Sequence, residues 1–435
     1  MSDTDKNSKK YRMNKSKVFC MAPWVSINNN PNGDILPCCI ARDGTFGNLY
    51  KDSVEDIWNN EKYKNFRKGM LNDEPSDHCA RCYKEQEWGN TSNYRHHWNE
   101  LYYSKYDELM DATDPDGTLH TMNFYRWDFR FNNLCNLACI GCGPGFSSSW
   151  VELQKKMWPN ANEFKIYSSR DKKEQFINTI KTQAKVVDNI YFAGGEPLMH
   201  AEHYEIMEEL DKLNKLDQVE FMYSSNLTNL HFKDQYIVDY WQKMKRCKVL
   251  VSIDEVDADR LYYMRYPSEL NQIIDNIKII RPILKTVDKH WSIVPTWSIL
   301  NLHRMKDIIG YFLDNEILPY AFYRGVSWEL DMHNIILMHP RHLSISAAPP
   351  EWKQYLHQKL NEFEEWYMDV MIPLKIPDAR FFATKIVKDN MDKFRNALNE
   401  ENEDRSLYHR YKRLDEVRGT NFTKTFPELT WYNVK

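Results

Sequence analysis

Residues 124–142 read FYRWDFRFNNLCNLACIGC. The first eight alternate strictly. Tyr125, Trp127, Phe129 and Phe131 fall on one face of an extended chain, and Phe124, Arg126, Asp128 and Arg130 fall on the other. Such alternation predicts a strand, and Cys135-x-x-x-Cys139-x-x-Cys142 follows it at once. Three thiolates on one short loop can take three corners of an iron–sulfur cubane and leave one iron without a protein ligand. An open position is what a metal centre needs to bind a substrate rather than brace a fold. A zinc knuckle short of its fourth ligand is the plainer reading of the same spacing.

Beyond this loop, strands and helices alternate. VVDNIYFA (186–193) precedes a helix near 201–214, and QVEFMYS (218–224) precedes one near 232–245. KVLVSI (248–253) leads to a helix near 268–283, and WSIVPTWSIL (291–300) to one near 303–314. ILPYAFY (317–323) supplies a sixth strand. This order predicts βαβ units and a parallel sheet. Six units fall short of a closed eight-stranded barrel but suffice for an open, partial (β/α)6 TIM-like barrel of α/β class, in which the cysteine loop lies where barrel active sites lie. The segment EWKQYLHQKLNEFEEWYMDVM (351–371) opens a helical C-terminal tail.

Before residue 119 the pattern changes to short strands and turns. Asn32-Gly33, between VSINN and DILPCC, marks a hairpin. Ser53 is a helix N-cap for DIWNNEKYKNFRKGM, and residues 96–118 read as a helix ending in DATDPDG. The expected organisation is a disordered arm over 1–17, a small cysteine-rich α+β domain over 18–118, the partial barrel over 119–348 and a helical extension over 349–435. Cys20, Cys38, Cys79 and Cys82 suffice for one four-thiolate site, zinc or iron–sulfur, with Cys39 spare. Adjacent strand residues face opposite ways, so Cys38 and Cys39 do not both reach one centre.

Composition bounds the rest. The chain has 435 residues, a formal charge of −4 and nine cysteines. Near-neutral charge gives no field for steering nucleic acid. Hydrophobic residues at 42% and aromatics at 14% supply a core despite a mean hydropathy of −0.70, which excludes disorder as the main state. The first residues carry no apolar signal segment and no run is long enough to span a membrane. The expected compartment is therefore a reducing cytoplasm, where clustered cysteines mean metal or redox chemistry.

A second motif, Gly194-Gly195-Glu196-Pro197, ends the strand NIYFA. Two glycines allow close backbone approach to a ligand, and Glu196 can accept from an ammonium. Taken alone, the string is a tight turn. Together, CNLACIGC and FAGGEPL resemble the motifs of the radical S-adenosylmethionine (SAM) superfamily. The resemblance implies a [4Fe–4S] cluster on Cys135, Cys139 and Cys142, with Gly194, Gly195 and Glu196 at the methionyl amine of SAM. It further implies polar SAM contacts from Ser225 and Asn226, ribose or carboxylate contacts from Ser252 and Asp254 in VSIDE, and Arg265 at the SAM carboxylate. Gly141 departs from the pattern, in which an aromatic residue often precedes the last cysteine; Phe146 or Trp150 is expected to cover that face instead. The N-terminal segment is similar to SPASM/twitch modules, through its G-x-x-x-P-C, GNL, S-x-x-x-IW and C-x-x-C elements, so Cys20, Cys38, Cys79 and Cys82 are expected to hold an auxiliary [4Fe–4S] cluster. Such modules usually follow the barrel; this one precedes it.

The implied activity is reductive cleavage of SAM to a 5′-deoxyadenosyl radical that abstracts hydrogen from a substrate. A peptide or protein is the first expectation, with a carbohydrate or small metabolite as alternative and a flavodoxin or ferredoxin as electron donor. The rival class is a non-catalytic zinc-braced binding module. Asp128 is the candidate catalytic residue, since Arg126, Asp128 and Arg130 share the polar face of the first strand and can orient a charged substrate; a satisfied ion-pair network is the competing account. Cys247 reads as a small buried hydrophobe, His96-His97 and His339/His342 as ordinary histidines, and Ser147–Ser149 as a helix N-cap.

Overall fold

The computed structural model describes residues 8–42, 44–88, 94–160, 165–167, 174–286, 288–315, 317, 320–323, 327–330, 335–371, 379–404 and 406–429. It divides into two compact units, Met1–Asn132 with Tyr167–Met222 and Asn133–Ile166 with Tyr223–Lys435.

In the first unit the strand order is Asn189–Phe192, Arg126–Phe129, Ser26–Asn29, Asp34–Leu36, Gly47–Asn48. The first three run parallel, with Arg126 opposite both Ser26 and Asn189, and Asp128 opposite both Asn28 and Tyr191. The remaining two add antiparallel, joined to Ser26–Asn29 by the Asn32-Gly33 turn, where Gly33 has φ +86. A strand from the cysteine-rich segment thus completes the edge of the Arg126–Phe129 strand. Trp24, Trp58, Trp98 and Trp127 are fully buried in this unit. Two single helices expected here are each broken in two. Ser53 caps Val54–Trp58, and Asn60 restarts the chain as Glu61–Leu71 by accepting from the Tyr63 amide. Tyr94–Leu101 and Tyr106–Asp111 replace the helix expected over 96–118. The arm expected over 1–17 contains the helix Lys9–Asn14, capped by Ser8 and anchored by the buried Met13 and by an ion pair from Lys9 to Asp107 at 2.7 Å. A polar stretch with one apolar anchor folds here because its ends find partners elsewhere in the unit.

The strand Glu220–Ser225 begins in the first unit and ends in the second. In the second unit Arg246–Val251 pairs parallel with Lys289–Ile293, and Lys285–Thr286 adds antiparallel. Helices Leu270–Ile280 and Met305–Asp314 follow the expected alternation, and Ala258–Met264 is an additional helix between the strand ending at Val251 and Leu270–Ile280. Strand side chains Val249, Val251 and Ile293 and helix side chains Ile273, Ile280, Ile308 and Phe312 are fully buried or nearly so, as period-2 and period-3.6 apolar patterns require. The sixth expected strand is present at Tyr320–Tyr323, but it pairs antiparallel with Ser327–Leu330 in a separate two-stranded sheet. Among the described residues the strands close no barrel. The C-terminal region is helical, with Pro350–Met371 packed against Ala379–Leu398 and with Leu407–Arg418 ending at Gly419 in the left-handed conformation. No helix among the described residues is long and apolar enough to cross a membrane.

Candidate iron–sulfur and SAM site

The three-cysteine loop belongs to the second unit, and its shape is set by its neighbours. Ser147 caps the helix Ser148–Met157 by accepting from the Trp150 amide and donates its own hydroxyl proton to the Leu137 carbonyl. Ser148 and Ser149 both donate to the Cys135 carbonyl. The triple serine is therefore a cap, as expected, and also a brace for Cys135. At the middle of the loop Ala138–Cys139 forms a short antiparallel pair with Arg265–Tyr266. The Trp150 indole donates to the Cys139 carbonyl at 2.7 Å.

Side chains named from sequence converge on these sulfurs. Asn226 lies 4.0 Å from Cys135 Sγ and donates to Asn136 Oδ1 at 3.0 Å, while the Thr228 hydroxyl donates to Asn226 Oδ1 at 2.7 Å. Arg265 reaches Cys139 Sγ at 3.8 Å and grips Asp254 through Nη2 at 3.0 Å and Nε at 2.8 Å. Burial works against the Arg265 charge, but Asp254 outweighs it and raises its pKa above the ordinary value. Ser225 and Ser252 are linked by the Ser252 amide donating to the Ser225 carbonyl at 2.9 Å. Arg265, expected at the SAM carboxylate, is thus already matched by Asp254.

Two residues of this site escaped the sequence reading. Arg418, from the C-terminal tail, is buried between the rings of Trp150 at 5.1 Å and Tyr266 at 4.7 Å, and donates to the carbonyls of Ala138 and Tyr263. Leu337 fills the space beside Gly141: a Cβ there would sit 3.3 Å from its Cδ1. The expectation that Phe146 or Trp150 covers this face is modified accordingly, since Phe146 is 39% exposed, Trp150 is committed to the Cys139 backbone and Leu337 takes the place beside Gly141. An isolated leucine in a loop and an arginine near the C-terminus carry no local signal that could have named them.

The thiols fit a metal cluster chemically. Burial raises the half-buried Cys139 thiol against the opposing pull of Arg265. Such groups give up their protons to a metal, which then replaces the missing solvation.

The second cysteine group and the glycine turn belong to the first unit. The Cys20 thiol is raised well above its ordinary value by burial and then by Cys38, Cys82 and Cys79, so these four thiols share one electrostatic neighbourhood. Cys38 and Cys79 are each pushed up to about 12 by burial, with Cys79 acting on Cys38 and Cys82 on Cys79. Cys39 responds instead to Asp128, after burial. Cys38 and Cys39 both follow the end of the Asp34–Leu36 strand and sit in a bend closed by the Ala41 amide on the Cys38 carbonyl, so the strand alternation expected to separate them does not apply there. Helix Tyr94–Leu101 fixes the Cys20 end: Arg95 donates to Ser16 and Phe19 carbonyls, and Asn99 bonds both the Phe19 carbonyl and the Met21 amide. Among the described residues no three His, Cys, Asp or Glu side chains converge tightly enough to ligate one metal ion.

The turn Gly194-Gly195 has φ +76 and +56, and a Cβ on Gly194 would meet the Arg130 side chain at 2.5 Å. Only glycine fits both demands. Glu196 is buried and caps the turn Pro197–Met199 by accepting from the Leu198 amide at 3.2 Å. Arg130 pairs with Asp128 at 3.2 Å, and Asn28 donates to the Asp128 carbonyl at 2.8 Å. Cys247 is buried on the strand Arg246–Val251, as expected of a small hydrophobe.

Comparison with known proteins gives the family. A model described as "Radical SAM superfamily" matches residues 129–309, and one described as "SPASM: Iron-sulfur cluster-binding domain" matches residues 20–83, before the barrel. No curated protein matches the chain. Solved structures that resemble it include "Native anSMEcpe with bound AdoMet" (16% identity, TM-score 0.37, covering 56% of this chain and 61% of that one). They also include Streptococcus suis SuiB bound to S-adenosylmethionine (10% identity, TM-score 0.38, covering 73% and 64%) and SuiB bound to the precursor peptide SuiA (12% identity, TM-score 0.36, covering 69% and 60%). The chain therefore spans about three-fifths of the length of these proteins. With the two family models covering the cysteine-rich segment and the strands that carry CNLACIGC and GGEP, residues 129–309 belong to the radical SAM superfamily, whose members use SAM and a [4Fe–4S] cluster, and residues 20–83 to the SPASM iron–sulfur cluster-binding domains.

Proposed function

We propose that the chain cleaves SAM reductively and uses the radical so formed to abstract hydrogen from a peptide or protein. The observation that carries this reading is the three-thiol loop whose sulfurs are met by Asn226 and Arg265. Cys135, Cys139 and Cys142 would hold the SAM cluster, and Cys20, Cys38, Cys79 and Cys82 the auxiliary one. When bound, a [4Fe–4S] cluster held by Cys135, Cys139 and Cys142 and reduced by an external one-electron donor would supply the electron for reductive cleavage of SAM, the chemistry that makes hydrogen abstraction from the substrate possible. Arg265, held by Asp254, keeps a fixed positive charge beside Cys139, which favours the thiolate a cluster needs. Gly194, Gly195 and Glu196 take the amine-binding role of the family motif, with Ser225, Asn226 and Ser252 as polar contacts. Asp128, buried and paired with Arg130, orients the substrate. A SPASM module supports the peptide reading, since relatives with such modules often modify peptides.

The test is anaerobic purification, cluster reconstitution and incubation with SAM and dithionite. 5′-Deoxyadenosine and about seven to eight irons per chain are expected; a colourless protein with stoichiometric zinc and no SAM cleavage would overturn the reading.

A further inference from the structure

Among the described residues, Arg126 is a buried guanidinium without an anion. Its residue is 3% exposed, its Nε has no hydrogen-bond partner, and the carboxylate two residues along the strand, Asp128, pairs with Arg130 instead. What Arg126 does have is the ring of Trp98, 4.8 Å from its guanidinium carbon, and the Trp98 indole N–H is itself buried and unpartnered. A lone buried charge is costly, and native proteins retain one where a ligand supplies the counter-charge. Around it, on the same face of three parallel strands, lie Asn28, Asp128 and Asn189. The side-chain oxygens of Asn28 and Asn189 are buried without hydrogen bonds, as are both carboxylate oxygens of Asp128, which face Arg130 only as an ion pair. Buried polar atoms are otherwise almost always satisfied.

Sorting these atoms by chemistry defines what fits. The Arg126–Trp98 end offers only N–H donors and one unmatched positive charge. The buried unpartnered atoms of the Asn28–Asp128–Asn189 end are all acceptors. We infer that this layer is a substrate subsite that takes a carboxylate on Arg126 and Trp98, with amide or amine N–H groups of the same molecule on the neighbouring oxygens. That is the chemistry of an amino-acid or peptide substrate. A phosphate would also suit a guanidinium fork, but its second negative charge would face the Asp128 carboxylate and the amide oxygens. The inference rests on the proposed substrate reading and narrows it.

The test uses the full-length, cluster-reconstituted, SAM-loaded protein and three probes at equal ionic strength: N-acetylglycine, its uncharged analogue N-acetylglycinamide, and inorganic phosphate. N-acetylglycine at tens of millimolar is expected to raise the thermal midpoint by about 2 °C. The other two are expected to leave it unchanged. Arg126→Gln should abolish the shift while melting no lower than the wild type without probe, because the charge it removes has no carboxylate partner; Arg126→Lys, which keeps a cation without the fork, should reduce it. The inference is overturned if no probe shifts the wild type, if phosphate matches N-acetylglycine, if both variants keep the full shift, or if Arg126→Gln without probe melts several degrees lower. Formation of 5′-deoxyadenosine by the same preparation is scored separately, so loss of the catalytic reading and loss of this subsite give different results.

Discussion

Arg418 donates to the carbonyl of Ala138, a residue 280 positions earlier in the chain, and with its other terminal nitrogen to the carbonyl of Tyr263. Both acceptors flank the short strand pair in which Cys139 faces Arg265. The tail thereby clamps the middle of the three-cysteine loop.

Replacing Arg418 with Ala leaves two buried carbonyls without this donor, at about 1–3 kcal/mol each, and opens a gap between Trp150 and Tyr266. The expected outcome is a cluster that forms but loses iron to a chelator several-fold faster than wild type, with a broadened electron paramagnetic resonance signal when reduced. Arg418→Lys should fall between, because an ammonium cannot span both carbonyls with a planar fork. A wild-type chelation rate in Arg418→Ala would show that the clamp does not position the cluster.

The two adjacent cysteines of the N-terminal segment should separate cleanly. Cys38→Ser is expected to lower iron content by one cluster, roughly four irons, while Cys39→Ser keeps the full complement, because Cys39 answers electrostatically to Asp128 and not to the Cys79–Cys82 pair. Iron analysis of the two variants after identical reconstitution decides the matter; iron loss in Cys39→Ser would reverse the assignment.

Asp128→Asn removes the partner of Arg130 without changing shape. It is expected to impair substrate turnover more than uncoupled SAM cleavage, measured as modified product against 5′-deoxyadenosine. Equal loss of both would mean that Asp128 is structural.

Glu428 gives a prediction in pH. It accepts from Arg260 at 2.7 and 2.9 Å and meets His303 at 3.0 Å; burial opposes its charge, but these donors hold its pKa down to about 2. A carboxyl depressed in the folded state contributes stability that is fully present above its ordinary value of 4.5 and is lost as pH falls from there toward 2. Thermal midpoints between pH 6 and pH 3 should therefore fall more steeply in wild type than in Glu428→Gln. Parallel slopes would dissociate Glu428 from acid sensitivity.

What could be read in the sequence was what spacing encodes. The cysteine triplet, the glycine turn and the strand–helix alternation are local patterns, narrowed to one meaning when read together, and Ser53, Ser147 and Gly33 act as their residue types predict. Contacts between distant segments were not readable. Nothing near residue 418 or 337 announces a role at residues 138 or 141, because those roles exist only once the chain has folded back. The 124–131 alternation is seen as a strand only over Arg126–Phe129, yet it correctly separated the polar face. It could not show that Asp128 pairs with Arg130 and leaves Arg126 alone, since alternation fixes faces and not partners.

The parallel pairing of Ser26–Asn29 with Arg126–Phe129 bears on how this chain can be cut. SPASM modules invite the picture of a detachable cassette. Here, trimming the chain to begin at residue 119 would strip one neighbour from a buried strand and leave its N–H and C=O groups open to pairing with other molecules, an invitation to aggregate. The segment is therefore no free-standing part: the auxiliary module and the strand that leads to the cysteine loop share one piece of sheet.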